Sequence, residues 1–201
     1  ARRSMSADIF EGLRYIRGQP IVMVLLIMAL MLVLFGMPYQ NLMPIFAEIL
    51  HVEELGFGLL MAMTGVGAVI GSLAIAGMGD LKRKGALSLG CGIAFGLTLI
   101  AFASARSLPL ALPALMVVGA ASTGFMSLNN TLIQMHISDD MRGRVMSVYM
   151  MSFGLMPLGV LPAGAIAESM GAPVAVTIQG GVLAVFVLAL AVFHRGVRRL
   201  E

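Results

Sequence analysis

Long apolar runs without a charged side chain constrain this sequence more than any other feature. Residues 145–167 form one such run, which follows a charged turn at 138–144 and ends before Glu168. Helical residues rise ~1.5 Å each, so this run spans roughly 35 Å and exceeds the ~30 Å hydrocarbon core of a bilayer. Its glycines and prolines would break a helix in water but are tolerated between membrane helices. The run therefore predicts a transmembrane helix.

Five further apolar runs follow the same pattern, with short polar or charged turns between them. Only 11% of the residues are charged, against about 25% in a soluble domain, and the mean hydropathy is +0.98. We therefore expect an all-α membrane protein, with a linker at 1–18, a transmembrane domain at 19–194 and a tail at 195–201. The six predicted spans are 20–47, 55–79, 85–105, 109–137, 145–167 and 172–193.

The basic residues predict how these spans are oriented. Twelve of the 13 lysines and arginines fall at the two ends of the chain or in alternate turns, and Arg106 is the exception. Six crossings place those segments on one side, which the positive-inside rule assigns to the cytoplasm. We therefore expect both termini and the turns at 80–84 and 138–144 in the cytoplasm. The net charge of +3 thus reflects membrane insertion, and no nucleic-acid partner is expected.

A short amphipathic helix is predicted at 6–17, ahead of the first span. Ile9, Phe10, Leu13 and Ile16 recur at helical spacing, and charged residues occupy the positions between them. Such a helix either lies on the membrane surface or serves as an ordinary linker helix, and the sequence leaves both open.

Strong hydrogen-bonding side chains inside the spans concentrate on the first and fourth spans. The first span carries one cluster between Pro38 and Pro44, and its length predicts a tilt or a break. An unpaired amide in lipid costs a few kcal/mol, so these groups should face a cavity or one another. They are candidates for a substrate cavity or gate, with hydrogen bonding between helices as the alternative. The candidates are Tyr39, Gln40, Asn41, Asn129, Asn130 and Gln134.

Two other residue types have a predicted role within the spans. The GxxxG pairs Gly67/Gly71 and Gly92/Gly96 predict close helix packing. The flexible methionines form either a soft wall for an amphipathic ligand or plain packing. The methionines considered are Met61, Met63, Met126, Met150 and Met151.

Groups needed for catalysis are missing from the sequence. It contains no HExxH, CxxC or phosphate-binding loop, and no Asp, Glu, Lys or Arg lies deep in a predicted span. The single cysteine, Cys91, has no disulfide partner. We therefore expect no enzyme activity, no catalytic residue, no metal and no cofactor.

The six spans with cytoplasmic ends resemble one half of a major facilitator superfamily transporter. Residues 77–85, in which Asp80 precedes basic residues and Gly85, are similar to the cytoplasmic loop motif of that superfamily, although Leu81 follows the aspartate. The second likeness begins at Arg142-Gly143-Arg144 and continues through the glycines and prolines up to Gly164. It resembles the tenth-to-eleventh-helix region of bacterial exporters such as the enterobactin exporters and related drug and secretion-type effluxers.

The resemblance implies the seventh to twelfth helices of a twelve-helix carrier that works by alternating access. Expected partners are the lipid bilayer, an N-terminal six-helix half and a small-molecule substrate. The function implied is export of a small amphipathic compound, such as a siderophore or drug, across the bacterial inner membrane, with proton coupling through the other half. The chain is then a piece of a longer protein. The alternative is a membrane scaffold subunit that transports nothing.

A cytoplasmic latch is a further hypothesis. Asp80 is predicted on the same side of the membrane as Arg142 and Arg144. An ion pair between the aspartate and either arginine, or capping of a neighbouring helix N-terminus by the aspartate, would stabilise one access state. Alternatively, these charges only direct membrane insertion.

Overall fold

The computed structural model of the chain describes residues 5–78, 83–198 and 200, nearly all of them helical. The first membrane segment is divided into α2, a π-helical segment at Leu32–Gly36 and α3. A break at Gly154–Leu155 likewise separates α7 from α8. The helices are α1 (Met5–Gly18), α2 (Pro20–Met31), α3 (Tyr39–Ile49), α4 (Glu54–Gly77), α5 (Lys84–Ala103), α6 (Leu108–Met135), α7 (Asp139–Phe153), α8 (Met156–Met170), α9 (Ala172–Phe193) and α10 (Arg195–Arg198).

Within the described residues, six helical segments are long and apolar enough to cross a membrane. The all-α membrane fold predicted from the sequence is therefore confirmed. The segments are Pro20–Ile49, Glu54–Gly77, Lys84–Ala103, Leu108–Met135, Asp139–Met170 and Ala172–Phe193.

The break in the first span has a local chemical cause. The Met37 amide donates to the Leu32 carbonyl at 3.0 Å, an i→i−5 bond that widens the helix. Pro38 follows and has no N–H, so an α-helical bond to the Leu34 carbonyl is impossible. Gly159 of α8 packs directly against that carbonyl. The break therefore lies at a tightly packed point of the bundle.

Glycines bring α4 and α6 into backbone contact. A Cβ atom added to Gly71 would lie 2.5 Å from the Ala120 carbonyl oxygen. Added Cβ atoms on Gly67 and Gly119 would meet the Met116 and Thr64 carbonyls in the same way. No side chain fits at these positions, so the Gly67/Gly71 motif is a packing face, as GxxxG motifs are in membranes.

The second GxxxG pair acts at a different interface. A Cβ atom on Gly96 of α5 would lie 2.6 Å from the Gly180 carbonyl oxygen of α9. Gly92 instead faces the Phe125 ring of α6. The glycines of α5 thus allow this helix to pack closely against two neighbours.

Burial is uneven among the six spans. In the most apolar stretch of the second and fifth spans, only 17% and 11% of the residues are buried, whereas the other four spans reach 33–44%. The second span is α4, and the fifth consists of α7 and α8. These two spans therefore expose broad apolar faces to the surroundings of the described chain.

Candidate functional site

A cavity of about 280 Å³ lies where the first, second, third and fourth spans meet. Its wall contains several hydrogen-bonding groups and four methionines, and none of its lining side chains is charged. The polar lining residues are Tyr39, Gln40, Thr64, Ser122 and Thr123, and the methionines are Met37, Met43, Met61 and Met126. Such a wall can bind a ligand that has both apolar and hydrogen-bonding parts.

Tyr39 is fixed at the first turn of α3. Its side chain is only 2% exposed, and its ring packs edge-to-face on Phe95 with the centroids 6.4 Å apart. The hydroxyl lies within hydrogen-bonding reach of the Gln40 and Thr64 side chains. The phenol therefore links the broken first span to α4 at the cavity wall.

The structure separates the three polar residues that are adjacent in the sequence. Tyr39 and Gln40 line the cavity, whereas Asn41 is exposed and is not among the lining residues. Residues two apart on a helix point about 200° away from each other, so Tyr39 and Asn41 cannot share one face. Of the first-span cluster, the structure thus brings two residues to the cavity.

Asn129 holds two spans together instead of lining the cavity. Its side chain is 2% exposed, and its Nδ2 atom donates to the Leu25 carbonyl oxygen of α2 at 3.1 Å. This bond joins α6 to the first span, one of the two alternatives that the sequence left open. The Oδ1 atom of this amide is buried without a hydrogen-bond partner in the structure.

The other two polar candidates of α6 also lie outside the cavity wall. The Gln134 amide donates to the Asn130 side-chain oxygen one turn earlier. Asn130 also interacts with the Tyr149 hydroxyl of α7. These groups therefore form a small network between α6 and α7, separate from Tyr39 and Gln40.

The amphipathic helix α1 packs on the start of the fifth span. Arg144 Nη1 of α7 lies 3.1 Å from Glu11 Oε1, and the Ser138 amide donates to the Tyr15 hydroxyl oxygen at 3.4 Å. A Cβ atom on Gly12 would lie 3.2 Å from the Arg144 carbonyl oxygen, and Ile16 is buried. Although α1 could be recognised in the sequence, this docking between residues 133 positions apart could not.

The predicted latch residues have different surroundings. Arg142 forms an exposed ion pair with Asp139 of its own helix, at 2.9 Å. Arg144 reaches Glu11, as described above. Asp80 lies outside the residues that the structure describes, so the proposed latch stays a prediction.

The contact between α1 and α7 leads to a quantitative prediction. In a double-mutant cycle of Glu11→Gln and Arg144→Gln, we expect a coupling of ~0.2–1 kcal/mol, because both side chains are partly exposed. The measurement is the free energy of unfolding in mixed micelles. The Asp139/Arg142 pair, with 87% and 50% exposed side chains, is the control and should couple more weakly. A stronger coupling in the control pair would contradict the docking described here.

The whole chain matches a known protein family. The sequence profile of the transmembrane secretion effector family matches residues 1–201. The chain belongs to this family. No curated protein sequence matches it. Family membership and the six apolar helices together identify the protein as a transporter of the major facilitator type, an integral membrane protein.

Part of the cavity wall was not predicted from the sequence. Thr64, Ser122 and Thr123 line the cavity but were not among the candidate residues. Met61 and Met126 line the cavity, whereas Met150 and Met151 are each 54% exposed. The sequence signal that could have identified the hydroxyl residues is their position close to the packing glycines of α4 and α6. Among the described residues, no group of His, Cys, Asp and Glu is arranged to hold a metal ion.

Proposed function

We propose that this protein forms one half of a secondary active transporter that exports a small amphipathic compound, such as a siderophore or drug. The observation that carries the proposal is the uncharged cavity beside the break in the first span, with polar groups and methionines in one wall. Discontinuous membrane helices commonly form the substrate site of secondary transporters, and Leu32, Gly36 and Met37 at this break line the cavity. In this proposal the protein resides in the bacterial inner membrane, with both termini in the cytoplasm.

The chemistry of the wall supports an amphipathic ligand. Tyr39 and Gln40 present a hydroxyl and an amide, which fix the orientation of a polar group. The methionines offer flexible, polarisable contacts that adapt to apolar groups of different shape. A fully charged ligand would lose its hydration without a counter-charge from this wall, which is costly in a medium of low dielectric constant.

The exposed faces of the second and fifth spans support a second six-helix half as the partner. Added Cβ atoms at Gly58 of α4 and at Gly164 of α8 would meet nothing within 4 Å. Small residues on an open face allow the close approach of another helix. In the proposed carrier, α4 and α8 pack on the other half, and the cavity lies between the two halves.

Proton coupling is assigned to that other half. The predicted spans of this chain contain no Asp, Glu, Lys or Arg. A proton-driven carrier needs a titratable group within the membrane. We therefore propose that the coupling carboxylate lies in the partner half.

The proposal is tested by export from cells that produce the intact protein. We expect lower accumulation of lipophilic dyes or of siderophores than in cells with the empty vector, and loss of this difference when a protonophore collapses the proton gradient. A scaffold that transports nothing would leave accumulation unchanged across the whole panel, although the protein is present in the membrane. That result would reject transport by this chain.

A further inference from the structure

A second, larger concavity lies at the junction of α1, α2 and α7. This groove has a volume of about 1170 Å³ and shares no lining residue with the cavity at Tyr39. Its inner wall is apolar and comes from two membrane spans. Among the wall residues are Met23, Ile27 and Leu30 of α2, Val148 and Met151 of α7, and Leu155 at the break after α7.

The mouth of the groove, which α1 lines, carries charged as well as apolar side chains. Arg14 and Arg17 of α1 line it, and both side chains are exposed. Phe10 and Leu13 lie on the same lip and are 76% and 45% exposed, although both are large apolar residues. Glu11 also lines the mouth, but its carboxylate is paired with Arg144. The mouth therefore combines excess positive charge with exposed apolar side chains.

We propose that this groove binds an anionic phospholipid. The guanidinium groups of Arg14 and Arg17 bind the headgroup phosphate, and one acyl chain follows the apolar wall between α2 and α7. Arginine suits this role because its planar fork of donors matches the phosphate oxygens. The inference depends on membrane insertion of the spans and is independent of whether the chain transports anything.

The dimensions of the groove agree with a lipid. From Met23 to Leu30 the wall descends through seven residues of α2, or roughly 10 Å into the membrane from the arginines. A helix with basic and large apolar side chains on one face lies at the boundary between headgroups and acyl chains. Phe10 and Leu13 then contact acyl chains while the arginines stay at the headgroup level.

Contacts on the face of α1 that is opposite the two arginines hold this helix in place. Gly12 packs against the Arg144 backbone of α7, and the Tyr15 hydroxyl accepts from the Ser138 amide. These contacts fix the arginines over the groove before any lipid arrives. A fixed pair of arginines loses less entropy on binding than two mobile side chains do.

Because the sequence contains no tryptophan, a single introduced indole reports on the lipid at one position. We would place it at the deep end of the groove with Leu155→Trp, in the full chain reconstituted into vesicles. The matched control is Leu188→Trp on α9, at an exposed residue outside the groove. Each vesicle contains brominated phosphatidylglycerol or brominated phosphatidylcholine at the same mole fraction, and tryptophan quenching is measured.

At position 155 we expect phosphatidylglycerol to quench more strongly than phosphatidylcholine. Each basic residue near the surface favours an anionic lipid by roughly fivefold, so the pair should give a preference of roughly 25-fold. Arg14→Gln with Arg17→Gln should reduce this preference to about one, whereas Arg142→Gln with Arg198→Gln should leave it unchanged. At position 188 the two lipids should quench equally.

Three results would overturn the proposal. Equal quenching by both lipids at position 155 would show a groove without headgroup selectivity. A preference that survives Arg14→Gln with Arg17→Gln would place the selectivity elsewhere. Absence of quenching by either lipid at 155, with normal quenching at 188, would show that protein covers the groove, either a partner half or a second copy of the chain.

Discussion

Replacing Gly119 by leucine is expected to lower the free energy of unfolding by about 3 kcal/mol or more, the upper end of the range for overpacked sites. A Cβ atom at this position would meet the Thr64 carbonyl oxygen of α4, and a backbone atom cannot move aside as a flexible side chain can. Helices α4 and α6 would have to separate, which would also change the wall of the cavity. The measurement is unfolding of the purified protein in mixed micelles with increasing SDS.

The same change at Gly65 is the matched control. Gly65 lies on α4, close to the same interface in sequence, but an added Cβ atom would meet nothing within 4 Å. Gly65→Leu should therefore shift stability by less than about 0.5 kcal/mol, as exposed substitutions do. If both variants lost the same stability, the backbone contact of α4 with α6 would not be the cause.

Thr123→Trp is expected to reduce export by about tenfold or more, since a loss of only ~1.4 kcal/mol in ligand binding weakens affinity tenfold. Thr123 lines the cavity, and an indole ring there would occupy much of its volume of about 280 Å³. Because the added ring extends into open space, the fold should tolerate it. The measurement is the initial rate of export of whichever compound the accumulation assay identifies.

Thr131→Trp provides the matched control for this prediction. Thr131 is an exposed threonine on the same helix, two turns further along, and is not part of the cavity wall. Export by this variant should stay within about twofold of the unmodified protein, since exposed substitutions usually change stability by less than about 0.5 kcal/mol. If both variants lost the same export rate at equal amounts of protein in the membrane, the cavity would not be the site of transport.

Hydropathy alone predicted the six-helix membrane fold. A membrane helix must be long and apolar and must lack charged residues near its centre. Each apolar run of this sequence meets these requirements. The length of the first span also predicted a tilt or a break, and the structure has a π-helical break at Leu32–Gly36, ahead of Pro38. The glycine motif at Gly67 and Gly71 indicated a packing face for the same reason, since only glycine allows such close approach.

The rotation of each helix about its axis was not predictable in the same way. In the first span, the π-helical segment inserts an extra residue and rotates the following face by about 100°. The sequence therefore did not reveal that Tyr39 and Gln40 would reach the cavity while Asn41 would not. The cavity wall also combines Thr64 with Ser122 and Thr123 from another helix, and only tertiary packing brings these residues together.

The docking of α1 on α7 shows a second limit of the sequence. The charges on α1 indicated an amphipathic helix, but the partner of Glu11 lies 133 residues further along the chain. Such a contact depends on where the spans place their ends. Consequently, Arg144 was considered as a partner of Asp80 alone, and the structure shows that α1 also reaches it.

The proposed alternating access requires the cavity beside Tyr39 to open to each side of the membrane in turn. Its most direct test is labelling of Gln40→Cys in a Cys91→Ala background with a membrane-impermeant thiol reagent, applied to vesicles of either orientation. Gln40 is exposed in the cavity wall, so we predict labelling from both sides, with the ratio shifted by a transported compound. Labelling from one side only, unchanged by any transported compound, would contradict the account.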